Sequence, residues 1–329
     1  MAPTRRLAVV YNPMKVEDLD ADRGVVAAAC RRHGWEEPSW IETTAEETGE
    51  KQGRDAVEAG ADVVASLGGD GTVRAVATAL VGTGVPLGLL PAGTGNLLAR
   101  NLDLPVDSTE SAIEPLLTGS DLPIDVGFVS ADGDPEEVFL IMTGLGLDGE
   151  IMAGTSERVK GVLGWPAYIV SGVSKLWGRG FAVRVAASGG SGVVGSPSES
   201  PSESPSESPS KSLSGSPSDR VRRHARTVIV GNCGTLQGGL ELMPDAKVDD
   251  GVLDAVVIAP RGAVGWASVV ADIATRHRVG HKRLDRMRGG EFTIETARPI
   301  EAEIDGDPIG ACRRLDIRVD PQSLLVRHG

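Results

Sequence analysis

The chain has 329 residues and a formal net charge of -13, from 33 Lys and Arg against 46 Asp and Glu. So acidic a balance excludes non-specific binding to nucleic acid, because that affinity comes from neutralising phosphates with basic side chains. The length suggests two domains, and a hydrophobic content of 40% is enough for a real core.

The three cysteines, Cys30, Cys233 and Cys312, lie far apart in the sequence. Their spacing fits no local metal motif, and their odd number does not allow a full set of disulfides. We therefore predict buried free thiols, as is usual in a cytoplasmic protein.

Strands and helices alternate over residues 1–120. Apolar, β-branched runs predict strands at residues 7–11, 40–43, 62–67 and 85–90, and periodic segments predict helices at 19–33, at 45–59 and from residue 72. The first run is too short to be a signal peptide. This order is typical of an α/β domain with a parallel sheet, in which ligands bind at the carboxyl ends of the strands.

Strands dominate residues 121–329. They are predicted at 122–129, 137–143, 181–187, 225–231, 252–258, 291–296, 300–304, 314–319 and 323–327, with helices near 155–176 and 262–284. We expect a mostly antiparallel, β-sandwich-like second domain, whose last strands are free to pack back on the first. No segment is apolar and long enough to span a bilayer, since residues 161–178 include a proline and a lysine.

A Ser/Pro/Glu repeat occupies residues 196–211, within a polar tract at 188–219. Such a composition cannot bury enough apolar surface to offset its conformational entropy, so we predict a disordered insertion. The segments on either side alternate like strands, which favours an insertion at a hairpin tip, with a domain linker as the alternative.

The sequence Gly68-Gly69-Asp70-Gly71-Thr72 follows a buried strand and precedes a helix. Glycines let the backbone approach a ligand closely, and a helix N-terminus favours a phosphate group. Asp70 could cap the turn or hold a metal-bound water, and a capped turn without a ligand is the alternative.

A second glycine-rich turn, Pro91-Ala92-Gly93-Thr94-Gly95-Asn96, follows the next strand. Two such loops at neighbouring strand ends would face each other across one crevice.

There is no P-loop sequence. Residues 144–149 match GxGxxG, which leaves a dinucleotide-binding oxidoreductase as one alternative, although a tight turn is favoured there.

Taken together, five motifs resemble the catalytic domain of diacylglycerol kinases, a group related to sphingosine and ceramide kinases and distantly to NAD kinases. They are Asn12-Pro13, the two glycine loops, the segment Pro244-Asp245-Ala246-Lys247-Val248-Asp249-Asp250-Gly251 and Asp305-Gly306-Asp307. The resemblance extends over residues 6–327, interrupted by the Ser/Pro/Glu tract.

The resemblance implies an ATP-dependent kinase acting on a lipid hydroxyl, with nucleotide bound between the domains. ATP would contact the following residues: Asn12, Pro13, Met14, Lys15, Val16, one of Thr43 and Thr44, Gly68, Gly69, Asp70, Gly71, Thr72, Val73 and Thr94. Asp305 would be the general base, with Asp307 near the nucleotide–Mg²⁺ end.

The same resemblance implies a structural Mg²⁺ site. Its ligands would be the main-chain carbonyls of Lys247 and Val252 and the carboxylate of Asp250, with Asp125 acting through water. Oxygen ligands of these kinds suit Mg²⁺.

The sequence departs from the family pattern at three places. Leu97 follows the loop asparagine, where an aspartate is common, Asp307 replaces a glutamate, and Met14-Lys15-Val16 replaces a turn of small residues. These differences put the details of the metal and phosphate contacts in doubt, and Leu97 makes a non-catalytic lipid-binding regulator conceivable.

Asp305 also suits the chemistry independently of the family. A lipid alcohol is a poor nucleophile, so a carboxylate within hydrogen-bond reach assists its attack on the phosphoryl group. Asp-Gly is equally a common hairpin turn, and the sequence alone leaves both interpretations open.

The expected partners are ATP and a lipid alcohol at a membrane surface, with a homodimer left open. Residues 276–288 carry six Lys or Arg and one Asp, and 220–226 form a second basic cluster, so either could meet anionic head groups or be a solvated face. Residues 165–168 could line an acyl-chain cleft or pack in the core. We expect a cytoplasmic lipid kinase with peripheral membrane association, with sphingoid bases or a nucleotide as alternative substrates.

Overall fold

The structure is a computed structural model, and it describes residues 4–146, 180–189, 219–236, 240–260, 265 and 284–329. The predicted helix at 155–176, the proposed acyl-chain residues 165–168 and most of the Ser/Pro/Glu tract lie outside these ranges. No helix within the described ranges is long and apolar enough to cross a membrane.

The first part of the chain is an α/β unit. Its strands are β1 (Leu7–Tyr11), β2 (Ser39–Glu42), β3 (Val63–Gly68) and β4 (Leu87–Pro91), and its helices are α1 (Leu19–His33), α2 (Glu50–Glu58), α3 (Asp70–Leu80), α4 (Leu97–Asn101) and α5 (Thr109–Thr118). The strands lie parallel in the order β2-β1-β3-β4. β1 and β3 are buried along their whole length, which is why they read as continuous apolar runs.

The rest of the described chain is almost entirely strand. It contains β5 (Ser120–Ala131), β6 (Glu137–Phe139), β7 (Met142–Leu145), β8 (Phe181–Ser188), β9 (Asp219–Ala225), β10 (Thr227–Gly231), β11 (Thr235–Leu236), β12 (Leu240–Glu241), β13 (Leu253–Ile258), β14 (Leu284–Gly289), β15 (Glu291–Ile304) and β16 (Asp307–His328). The main path β14-β13-β10-β7-β15-β16 is antiparallel throughout. The α/β fold with an antiparallel second part is therefore confirmed.

β16 belongs to both parts of the sheet. Its first half pairs with β15, and its second half runs antiparallel to the start of β5. Near its end, Val326 pairs in parallel with Leu87 of β4, so the two parts form one 14-stranded sheet. This junction brings the β15–β16 turn towards the carboxyl ends of the parallel strands.

The structure joins four predicted strands into two, and the sequence missed α5, β9 and β14. Residues 291–304 form one strand, as do 307–328, because β-bulges bend each strand without ending it. The helix predicted at 262–284 gives way to β14 at Leu284, and most of its other residues lie outside the described ranges. α5 was missed because it contains Pro115, although Ser108 caps its first turn through Ser111 N.

The Ser/Pro/Glu tract joins two paired strands. β8 and β9 are antiparallel, with Phe181 opposite Ala225 and Ala187 opposite Asp219. The tract therefore connects the two strands of a hairpin, as favoured over a linker. Its second strand is β9 and not the predicted strand at 225–231, most of which is β10 and pairs with β7 and β13. Cys30, Cys233 and Cys312 are buried free thiols, as predicted.

Candidate active site

A cleft of about 510 Å³ lies between the two glycine loops and the β15–β16 turn. Nine of the residues predicted from the sequence line it: Asn12, Lys15, Gly69, Asp70, Gly71, Thr72, Thr94, Asp305 and Asp307. The other predicted nucleotide residues are not among its lining residues: Pro13, Met14, Val16, Thr43, Thr44, Gly68 and Val73. Thr43 is buried and Met14 is 87% exposed, while Thr48 lines the cleft instead of the predicted threonine pair.

The first glycine loop connects β3 to α3. Gly69 precedes the helix in an extended conformation, and a Cβ atom on Gly68 would lie 2.6 Å from the Cβ of Thr72, so the turn has no room for a side chain. Asn12 stabilises the neighbouring loop, because its Oδ1 accepts from Met14 N at 2.9 Å and its Nδ2 donates to Thr72 Oγ1 at 3.4 Å. The first turn of α3 thus faces the cleft with its positive dipole end.

The second glycine loop is joined to the first through Asp70. Asp70 Oδ1 accepts from Leu97 N at 2.6 Å, which caps α4 from outside its own loop. Burial raises the pKa of Asp70, and backbone N–H donors, Leu97 first, counteract this. The loops also touch directly, since a Cβ on Gly93 would lie 2.9 Å from the Cα of Gly69. Asp70 is therefore a capping residue that holds the two loops together.

Asp305 and Gly306 form the two-residue turn between β15 and β16. Both have positive φ angles, 50° and 91°, as a type I′ hairpin turn requires. The Asp305 carboxylate is nevertheless turned inward and accepts three backbone N–H groups: Oδ1 from Ile141 at 2.9 Å and Met142 at 3.0 Å, and Oδ2 from Leu140 at 3.0 Å. Asp305 can therefore be part of a hairpin turn and still present a carboxylate that is positioned to act as a base.

These contacts leave Asp305 one free acceptor position. An ionised carboxylate has about four lone-pair sites, so three donors leave one, on Oδ2. Burial raises the pKa of Asp305, and the backbone donors and Arg74 lower it in turn. The side chain is therefore fixed in orientation and retains the capacity to accept one further proton.

Sequence reasoning missed two charged residues beside Asp305. Arg74 donates from Nη1 to Ile304 O at 2.7 Å and from Nη2 to Asp307 Oδ2 at 2.8 Å, which ties α3 to the β15–β16 turn. Glu303, two residues before the aspartate, is buried, and neither of its oxygens has a hydrogen-bond partner. No local motif could identify Arg74, because its partners are distant in sequence, and the burial of Glu303 cannot be read from its own strand.

The residues implied for a structural Mg²⁺ lie away from this cleft. The carboxylate of Asp125 accepts from Gly251 N at 2.6 Å and Gln322 N at 2.8 Å, so both its oxygens are engaged. Asp250 Oδ2 is 2.5 Å from Arg288 Nη2, and this cation already neutralises it. No group of three or more His, Cys, Asp or Glu fit to hold a metal occurs within the described ranges, but the predicted site depends on main-chain carbonyls and a single carboxylate. The main-chain carbonyls of Lys247 and Val252 and the carboxylate of Asp250 are oxygen ligands of the kind Mg²⁺ accepts, and this structural site stays a prediction.

The GxGxxG match does not have the structure of a dinucleotide site. Gly144 lies inside β7, between β10 and β15, and not in a turn leading from a strand to a helix. A Cβ atom there would lie 2.2 Å from Val228 O, which explains the glycine by packing alone. The sequence predicted a tight turn over residues 144–149. Gly144 is part of a strand and not of a turn, and residues 147–149 lie outside the described ranges.

Two family models match this chain. The diacylglycerol kinase catalytic domain matches residues 6–129, and the YegS C-terminal NAD kinase beta sandwich-like domain matches residues 213–328. Together they account for both glycine loops and the β15–β16 turn.

Curated relatives match over most of both chains. A "Probable lipid kinase YegS-like" protein of Pseudomonas aeruginosa is 30% identical over 276 residues, which are 83% of this chain and 78% of the relative. A protein of the same name from Pseudomonas putida is 30% identical over 274 residues, 82% of this chain and 78% of the relative.

Solved structures share the fold. A diacylglycerol kinase structure from Bacillus anthracis superposes with a TM-score of 0.68 at 18% identity, covering 100% of this chain and 98% of that one. A second structure from the same organism gives a TM-score of 0.73 at 20% identity, covering 99% and 95%.

Proposed function

Because the chain belongs to the diacylglycerol kinase catalytic-domain family, we propose that it transfers the γ-phosphoryl group of ATP to the hydroxyl of a diacylglycerol-like lipid. The product would be a phosphatidic-acid-like lipid. The observation that carries this proposal is the single cleft in which two glycine loops face a carboxylate with one free acceptor position. Its relatives' names support a lipid kinase, and the diacylglycerol-like acceptor is the finer part of the proposal.

ATP would bind along the two glycine loops. The N-terminal turn of α3 offers backbone N–H groups and a positive dipole end to the phosphates, and Thr72 and Thr94 offer hydroxyls beside it. Lys15 and Arg74 line the same cleft and would neutralise charge on the transferred group. Phosphoryl transfer depends mainly on such positioning and neutralisation.

Asp305 would accept the proton of the lipid hydroxyl as that oxygen attacks the γ-phosphorus. The three backbone donors fix the carboxylate, so its orientation costs no further entropy when the substrate arrives. The proton would go to the free position on Oδ2.

A Mg²⁺ ion carried with ATP would neutralise negative charge on its phosphates. Asp307 fits such an ion, because its carboxylate is largely exposed and lies beside Gly71. Carboxylate oxygens are ligands that Mg²⁺ accepts.

The proposal is tested by incubating the full chain with ATP, Mg²⁺ and a panel of diacylglycerol, sphingosine, ceramide and NAD. We expect labelled phosphate in the diacylglycerol fraction. Labelling of sphingosine alone would move the proposal to a sphingoid-base kinase, and no labelling of any acceptor would contradict kinase activity.

The role of Asp305 is tested with Asp305→Asn. The amide keeps the shape of the side chain and cannot accept the proton as a base, so we expect turnover to fall by about 10²- to 10⁴-fold. ATP affinity, measured by calorimetry, should change little. Asp107→Asn, at an exposed position away from the cleft, is the matched control, and full turnover by the Asp305 variant would remove it as the base.

A further inference from the structure

A second cavity, of about 740 Å³, lies on the outer face of the β8–β9 hairpin and the neighbouring part of β15 and β16. Five arginines and one histidine line it, against a single acidic residue, Glu295. It shares no lining residue with the nucleotide cleft. So basic a cavity is unexpected on a chain whose net charge is -13.

Strand register places like charges directly opposite each other in this cavity. Arg184 of β8 pairs with Arg222 of β9 on one side and with Glu295 of β15 on the other, and Glu295 in turn pairs with Arg314 of β16. Paired residues lie on the same face of a sheet, and like charges directly opposite destabilise it. The Arg184–Arg222 pair therefore costs stability in the absence of an anion.

The acid opposite Arg184 is engaged elsewhere, because Glu295 forms its ion pair with Arg314. Arg314 is neutralised by Asp316 at 2.6 Å and Glu295 at 3.2 Å. Among the residues that the structure describes, by contrast, Arg184, Arg222 and Arg313 form no ion pair. Their guanidinium groups are exposed to the cavity and keep their donors available.

We propose that this cavity binds a phosphomonoester group, held by Arg184 and Arg222 with Arg313 at its edge. Side chains directly opposite in an antiparallel pair have Cβ atoms roughly 5 Å apart, so two guanidinium groups can reach the same phosphate. The planar fork of each matches two phosphate oxygens. The phosphate belongs either to a lipid head group or to a free phosphorylated metabolite.

The site is tested with Arg184→Gln/Arg222→Gln, compared with Arg31→Gln/Arg54→Gln, which makes the same change in net charge on α1 and α2. The probes are glycerol 3-phosphate, measured by calorimetry, and vesicles of phosphatidylcholine with or without phosphatidic acid, measured by co-sedimentation. Both variants retain the nucleotide cleft. Any probe that binds in that cleft therefore binds equally to both variants, and only binding at the arginine cavity differs between them.

We expect the first variant to bind its probe at least about tenfold more weakly than the wild type, and the control to bind as the wild type does. Loss of glycerol 3-phosphate binding identifies a soluble phosphomonoester, and loss confined to phosphatidic acid vesicles identifies a lipid head group. The Arg184/Arg222 variant should also unfold at an unchanged or higher temperature, since the repulsion is removed. Equal binding by both variants, or no binding of any probe by the wild type, would overturn the proposal. Neither result depends on kinase activity.

Discussion

Glu303 carries a carboxyl group that is 1% exposed and has no hydrogen-bond partner among the described residues. Burial raises its pKa from 4.5 to about 8, and the nearby charges of Asp305 and Asp307 add to this. The group is therefore mostly protonated at neutral pH. Buried polar groups are nearly always hydrogen-bonded, so this unpaired acid beside the proposed base lowers the stability of the folded state.

This residue makes stability depend on pH in a defined direction. Between pH 4.5 and about 8 the folded state retains the proton that the unfolded chain has lost, so the free energy of unfolding decreases as pH rises through this range. We expect Glu303→Gln to flatten the decrease above about pH 6, measured as melting temperature against pH. Glu301→Gln, an exposed neighbour, should leave the wild-type slope, and an unchanged slope in Glu303→Gln would contradict this account.

The contact between the two glycine loops determines the shape of the cleft. Gly93 lies against the backbone of Gly69, and Asp70 caps the start of α4. These contacts join the ends of two strand–helix units that are separate in sequence. A change in one loop should therefore displace the other.

Two glycine-to-alanine substitutions should have opposite effects. Gly93→Ala introduces a methyl group against backbone atoms that cannot move aside, so we expect a loss of about 1–3 kcal/mol in stability together with weaker ATP binding. Gly24→Ala adds a methyl group to the exposed side of α1, with no atom within 4 Å. It should gain about 0.5–1 kcal/mol. Chemical denaturation measures both, and a neutral Gly93→Ala would argue against tight loop contact.

Local patterns account for the elements that the sequence predicted well. α1 runs over the predicted residues because Asp18 caps it through Ala21 N and Gly34 ends it in the left-handed conformation. The glycine loops could be found because their constraint lies within a few residues. Arg74 could not, since its partners Ile304 and Asp307 are more than two hundred residues away in the chain.

At the scale of the whole molecule, β16 connects the nucleotide loops to the proposed base. It continues from the turn that holds Asp305, pairs with β5 and β15, and reaches β4 at Val326. Leu324 and Val326 are fully buried in the same core cluster as Leu87 and Val64 of the parallel strands. One of the three core clusters of the described residues therefore extends across the sheet junction.

We expect the two parts to unfold together. Leu324→Ala leaves a cavity at the junction and should lower stability by about 2–5 kcal/mol. Because β16 belongs to both parts, melting followed by circular dichroism and by nucleotide protection should shift together. Asp107→Ala, at an exposed site away from the cleft, is the control. A variant in which one part melts early and the other at the wild-type temperature would contradict a shared core.

The position of β16 also has a consequence for synthesis on the ribosome. β4 is translated long before its partner Val326, so the growing chain carries β4 with one side open while most of the second part is still being made. Unpaired strand edges attract other chains, and translation proceeds at only about 5–20 residues per second. At that rate this edge of β4 stays unpaired for roughly 10–50 s, and only the pairing of β16 covers it.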